Sequence, residues 1–197
     1  SNVVAPSISP TITFANINKT YGAANFDVAA TSDSAGAINY SIIAGGTGAA
    51  TLSGTNNETV TLGNVGTVNV RATQSADGIY SSGTKDIVLT ITKATQTTTF
   101  AALASKTFGD APFDLTGTAS SGLTLTYTSS NTAVATVSGT TVTILAAGAT
   151  DITASQTGSA NYSAASDVLQ ALTVSQANQT ITFGPLTGKT FGDAPFT

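Results

Sequence analysis

The chain has 197 residues, 41% of them hydrophobic and 8% charged, with a formal charge of −4. It contains no Cys and no His, which excludes a disulfide scaffold, a thiolate metal site, a cysteine nucleophile and the histidine base of a catalytic triad. Six Lys and Arg residues leave no basic footprint for nucleic acid, and no apolar run reaches the ~18 residues of a membrane span.

Wetting falls instead to hydroxyls: 21 Ser and 38 Thr. Thr is β-branched and suits strands. The opening residues do not read as a secretory leader, so any signal is expected upstream or already removed.

Residues 1–8 read as a lead-in. Strands are expected at 12–14, 26–30, 38–42, 49–52, 59–62, 68–73 and 87–92, because short apolar/Thr alternations there are separated by Gly, Ser and Asn turns. A second set follows at 97–100, 113–118, 123–128, 134–137, 141–144, 150–154 and 168–174. Between the first two strands of the second set stands Lys106-Thr107-Phe108-Gly109-Asp110-Ala111-Pro112-Phe113. The same eight residues return at 189–196, and a worn copy, Lys19-Thr20-Tyr21-Gly22-Ala23-Ala24-Asn25-Phe26, stands earlier. Phe14, Phe100 and Phe183 mark the same period, as do the pairs Tyr40/Tyr127, Gly66/Gly148, Gln74/Gln156 and Tyr80/Tyr162. A repeat longer than the ~20–50 residues of solenoids implies that each copy is a domain.

The expected organisation is therefore repeat 1 at 9–93, repeat 2 at 94–176 and the start of repeat 3 at 177–197. The fold class is all-β: immunoglobulin-like sandwiches of about seven strands, end to end on short linkers. The second core is expected to contain Phe108, Phe113, Leu125, Tyr127, Val134, Val142, Ile144, Ile152, Tyr162 and Leu172. The eight-residue motif is expected near the junction with the preceding domain, with Lys106 lying over Phe108. The third copy is expected to dock Phe183, or residues 185–191, on loops of repeat 2; the alternatives are strand addition to a sheet edge of another copy or chain, or completion by the remainder of a longer chain.

Few residues carry chemistry. Asp77, Asp110 and Asp193 lie in loops, but a calcium site wants several carboxylates, so turn-stabilising roles are expected and no metal or cofactor is assigned. The recurring Lys19, Lys106 and Lys189 raise an isopeptide bond, with Asn161 as partner for Lys106; the alternative is a solvated lysine. Tyr40, Tyr80, Tyr127 and Tyr162 are core tyrosines or sugar-stacking rings. Thr124, Thr126 and Thr128 form a solvated sheet face or a flat binding surface. Asp33-Ser34-Ala35 matches a short O-glycosylation signal. Asn57-Glu58-Thr59 and Asn161-Tyr162-Ser163 match the N-glycosylation pattern. No carboxylate pair suited to catalysis is evident, so no catalytic residues are assigned and an enzyme is not expected.

The run Ser130-Asn131-Thr132-Ala133-Val134-Ala135-Thr136-Val137-Ser138-Gly139, followed by Gly148 and Ile152-Thr153-Ala154, resembles the hallmark of bacterial Ig-like repeats. The match covers essentially all of 95–174; the first copy departs from it at Asn25 and across 41–48. The Phe-Gly-Asp-Ala-Pro-Phe and Ala-Asn-Tyr elements look like the variety found in very large cell-surface adhesins of Bacteroidetes, including gliding-motility adhesins. The resemblance implies an extracellular stalk or adhesive array whose partners are neighbouring repeats, surface polysaccharide or other envelope proteins. The alternative is a carbohydrate-binding or accessory module of a secreted enzyme.

Overall fold

The computed structural model describes residues 7–186 and 188–194, and among these every regular element is a strand. No helix long and apolar enough to cross a membrane is present among them. Residues 1–6, Thr187 and 195–197, and with them Phe196 of the third motif, lie outside the described residues.

The first unit contains β1 (Ile12–Thr13), β2 (Ile17–Thr20), β3 (Phe26–Asp27), β4 (Thr31–Ser32), β5 (Ile38–Ile43), β6 (Ala50–Ser53), β7 (Thr59–Leu62), β8 (Gly66–Gln74) and β9 (Gly83–Thr92). One sheet has the order β2-β9-β8-β5; opposite it stand β3-β7-β6 and the pair β1-β4. The second unit repeats this with β10 (Thr98–Thr99), β11 (Lys106–Thr107), β12 (Phe113–Asp114), β13 (Thr118–Ala119), β14 (Thr126–Ser129), β15 (Ala135–Ser138), β16 (Thr141–Ile144), β17 (Gly148–Ser155) and β18 (Val168–Ser175). Its sheets are β11-β18-β17-β14, β12-β16-β15 and β10-β13. Strand pairing stays within each unit. These are Ig-like β-sandwiches.

Period-two alternation builds each core. Along β8, Val68, Val70, Ala72 and Gln74 point inward; along β9, Ile87, Leu89 and Ile91 meet them. With Phe14, Val28, Tyr40 and Val60 they close the first core. Phe100, Leu115, Leu125, Val134, Val142, Ile152, Leu172 and Val174 close the second.

All seven expected strands of each unit have a counterpart, although several are shorter, the second is broken in two, and 123–125 precede β14 rather than belong to it. A further strand was not expected. The polar stretch that opens the motif is itself β2 or β11, and it runs parallel to the last strand of its unit. Two to four residues cannot display an alternation, and the partner is some 70 residues away, so the local pattern carries no signal.

Phe113, Tyr127 and Ile144 are half-buried against the second core. Two expected core residues are not in it. Phe108 is 48% exposed, because it occupies the tip of a turn that points away from the sandwich. Tyr162 is half-buried, but its ring lies against the first unit.

The third copy does not dock as expected. Phe183 is 78% exposed, and Phe191 and Leu186 are exposed too. Phe14 and Phe100 are buried by their own units' sheets, whereas the described residues of 177–194 form no strand to do the same.

Candidate functional site

The central turn of the eight-residue motif forms in all three copies. Gly22, Gly109 and Gly192 have φ of +80°, +98° and +100°, a region favoured by glycine in the third position of a type II turn. Each turn closes through the N–H of Ala23, Asp110 or Asp193 to the carbonyl of Thr20, Thr107 or Thr190, at 3.0–3.1 Å. Asp110 and Asp193 also accept the N–H of Thr107 and Thr190 on a carboxylate oxygen, at 2.9 and 2.8 Å. That is the expected turn-stabilising use of both aspartates. Among the described residues no three metal-ligating side chains cluster.

The turn displays one aromatic residue at its tip: Tyr21, Phe108 or Phe191. Its flanks are clamped by the lysine, whose ammonium sits 4.4 Å from the Phe26 ring centre for Lys19 and 4.6 Å from Phe113 for Lys106. The lysine thus covers the last aromatic of the motif and not Phe108, which corrects the expectation. An isopeptide bond from Lys106 to Asn161 has no support, since the Asn161 amide is engaged on the first unit.

That engagement is the principal site of the molecule. The turn 159–162 closes through the Ser159 N–H to the Tyr162 carbonyl at 3.0 Å, and the Ser159 hydroxyl accepts the N–H of Asn161 and of Tyr162, both at 3.2 Å. Gly158, with φ of +86°, lets the backbone pass within reach of the Tyr162 carbonyl; a Cβ there would lie 2.6 Å from it. Ala94, between the units, bridges this turn on the second unit's side: its N–H donates to the Asn161 carbonyl at 3.0 Å and its carbonyl accepts the Ser163 N–H at 2.9 Å.

From this platform Asn161 reaches the first unit with both ends of its amide. Oδ1 accepts the Val65 N–H at 3.1 Å, and Nδ2 donates to Asn64 Oδ1 at 3.2 Å. The Tyr162 ring meets Tyr21 edge-on, with centres 5.4 Å apart and planes at 78°, an arrangement worth about 0.5–1.5 kcal/mol beyond its area. Lys93 adds a hydrogen bond to the Ser159 carbonyl at 2.7 Å. The motif therefore lies at the junction with the following unit, not the preceding one as expected. Its aromatic tip in unit 1 is the seat on which unit 2 rests.

Buried glutamines fix the loops around both ends. Gln74 donates to the carbonyls of Ser34 and Gly36 at 2.9 and 3.1 Å and accepts the Ser32 hydroxyl at 2.6 Å. Gln156 donates to the Thr124 carbonyl at 2.6 Å and accepts the Gly158 N–H. Gln96 donates to the Ser163 carbonyl at 2.7 Å and accepts the Ser121 hydroxyl. Sequence comparison matches Gln74 with Gln156 but does not reveal this role; a glutamine kept at the end of an apolar strand is the signal.

The other candidates are dispersed. Tyr40 is buried against Phe14 with its hydroxyl accepting the Ala30 N–H at 2.8 Å, and Tyr127 packs on Phe100. Thr124, Thr126 and Thr128 are exposed, but β14 is an edge strand, and Thr126 Oγ1 bonds the Ser155 carbonyl. Asp77 closes the turn to Tyr80 through its backbone. Asp33 accepts the Thr11 N–H at 2.8 Å, which holds its carboxyl below the usual range, and Ser34 accepts the Gly36 N–H within the same loop. Asn57 sits at an exposed turn with φ of 59°.

No protein-family model matches the chain, and no curated protein does. Among solved structures it is similar to the titin domains Z1Z2 in complex with telethonin, at 13% identity and a TM-score of 0.48, covering 88% of this chain and 99% of that one. It is similar to Drosophila N-cadherin EC1-4 at 17% identity and a TM-score of 0.38, covering 87% of this chain but only half of that one. Domains 4 and 5 of the S-layer protein SbsC align at 18% identity and a TM-score of 0.36, over 87% of this chain and 100% of that one.

Proposed function

We propose that the chain is a load-bearing spacer within an extracellular adhesive array, built of domains at 9–93 and 94–176 with a third beginning at 177. The observation that carries this reading is the parallel pairing of an early strand with the last strand in each unit. β2 pairs β9 from Ile17↔Leu89 to Thr20↔Thr92, extended by the Tyr21 N–H to the Thr92 carbonyl at 2.8 Å. β11 pairs β18 at Lys106↔Val174 and Thr107↔Ser175, extended by the Phe108 N–H to the Ser175 carbonyl. Tension on the chain ends draws two parallel neighbours past one another, so their hydrogen bonds load together in shear instead of opening one by one. The engaged joint passes that load from unit to unit.

The resemblance of the motifs to those of large Bacteroidetes surface adhesins supports the surface setting and a place in gliding-motility adhesins, with hydroxyl-rich faces making weak contact with polysaccharide. The test is single-molecule pulling on the chain held by its ends. Two separate cooperative unfolding events are expected, one per unit. Extension of either unit with no resolvable force barrier would overturn the spacer reading. Tight, selective binding of one sugar class on a glycan array would replace it with a carbohydrate-binding module.

A further inference from the structure

The joint between the units pairs a seat on one with a turn on the next, and the chain holds a second seat. In unit 1 the seat is Tyr21, Asn64 and Val65, with Gly63 beside them. The registers of β7 and β16 and the shared motif turn place Phe108, Ala146, Ala147 and Leu145 at the same positions in unit 2. Together with residues 176–179 these four line an open hollow of about 490 Å³. Ala177 in that lining stands at the sequence position of Ala94, the linker residue that bridges the turn between units 1 and 2. The hollow is therefore continuous with the opening of the third copy.

The two seats differ in one direction. Phe108 lacks the hydroxyl of Tyr21, Ala146 lacks the amide of Asn64, and Leu145 adds an aliphatic side chain where unit 1 has Gly63. Phe108 and Leu145 are 48% and 49% exposed, an apolar pair that a neighbour would cover. The turn side varies too. Asn161 meets Asn64 Oδ1 with its Nδ2, whereas the same position in unit 1's turn is Ile79, held by Ile8 as Asn161 is held by Ala94. An asparagine on the seat of unit 2 would find no side-chain acceptor for its Nδ2 at Ala146, and its amide would be desolvated without return. An aliphatic residue there would pack on Leu145 and Phe108. We infer that the hollow is the seat of the following unit of the same polypeptide, and that it selects a unit whose turn carries an aliphatic residue at the position of Asn161. The turn–seat pair thus sets which repeat follows which, with mismatched pairs penalised by stranded polar groups. The Ala147 N–H gains no side-chain acceptor from such a turn, so this joint rests on apolar contact and on the short linker that keeps the halves together.

The inference rests on the reading that a third domain begins at 177, and it is tested by completing that domain on the full chain. Residues 177–196 are followed either by the sequence of 27–93, whose turn carries Ile79, or by that of 114–176, whose turn carries Asn161. Residual dipolar couplings then compare the alignment tensors of units 2 and 3. The first completion is expected to share one tensor with unit 2. It is expected to separate into two on Phe108→Asp in unit 2, or on Ile79→Asn in the appended copy. The second is expected to show two tensors, and to merge them on Asn161→Ile in the appended copy or on Ala146→Asn in unit 2. Amide dispersion of the third unit reports its folding, and two completions of different sequence keep the test open if one does not fold. Shared tensors in both completions would overturn the selection, and separate tensors in both would overturn the seat. Neither result alters the force barriers of units 1 and 2 under pulling, so failure here is distinguishable from failure of the spacer reading.

Discussion

Gln74 ties the loop after β4 to the core by three hydrogen bonds while being fully buried. Gln74→Leu keeps the bulk but strands two carbonyls and a hydroxyl, which should cost about 1–3 kcal/mol in denaturant unfolding of the first unit. Phe108 and Phe113 make a second test, because composition and spacing treat them alike. Phe113 packs on the core beneath Lys106, so Phe113→Ala should cost about 3 kcal/mol, the low end for a core phenylalanine. Phe108→Ala, at an exposed turn tip, should stay within about 0.5 kcal/mol. Equal losses would place Phe108 in the core after all. Acid acts through Asp86 and Asp33. The hydrogen bond from Arg71 holds the Asp86 carboxyl below its ordinary value against desolvation, with the charges of Arg71 and Lys85 adding to it; the Thr11 N–H does the same for Asp33. Their contribution is complete above the unfolded value near pH 3.9 and is lost as pH falls through the lower folded values. Arg71 and Asp86 are 40% and 45% exposed, so the effect is small. Asp86→Asn should lower the unfolding midpoint at pH 7, and the gap to the parent should narrow as pH falls below about 3.9.

At the scale of elements, the two parallel pairs differ in length. β2 and β9 match over four residues, β11 and β18 over two. Unit 2 should therefore yield first, and at lower force, when the chain is pulled; simultaneous yielding, or unit 1 first, would show that the resisting bonds lie elsewhere. The antiparallel framework was legible because strands such as β8 and β17 alternate over eight or nine residues. The parallel strands were not, since Ile17–Thr20 and Lys106–Thr107 are too short to show a period. The turn in the motif was legible from Gly109 and Asp110 alone. It forms in the third copy as well, where the described residues 177–186 and 188–194 show no strand, so local sequence determines it.

For the whole molecule, repetition led to the expectation of successive units, but said nothing of how one meets the next. Asn161 and Tyr162 were singled out for other roles, because Ile79 fills the asparagine position in the first copy and no interdomain role shows in the sequence. The partner groups, Val65 N–H and Asn64, are 96 and 97 residues from Asn161. A contact of that reach depends on the packing of both units and leaves no periodic trace. The resulting joint couples a two-ended amide contact, a ring pair and a bridged linker, and so should hold two sandwiches in one relative orientation. Residual dipolar couplings measured on the two units of the full chain test this directly. A fixed joint predicts one alignment tensor of common magnitude and axes for both units, separating into two when Asn161→Ala and Tyr162→Ala are combined. Two tensors of different magnitude in the unaltered chain would contradict it.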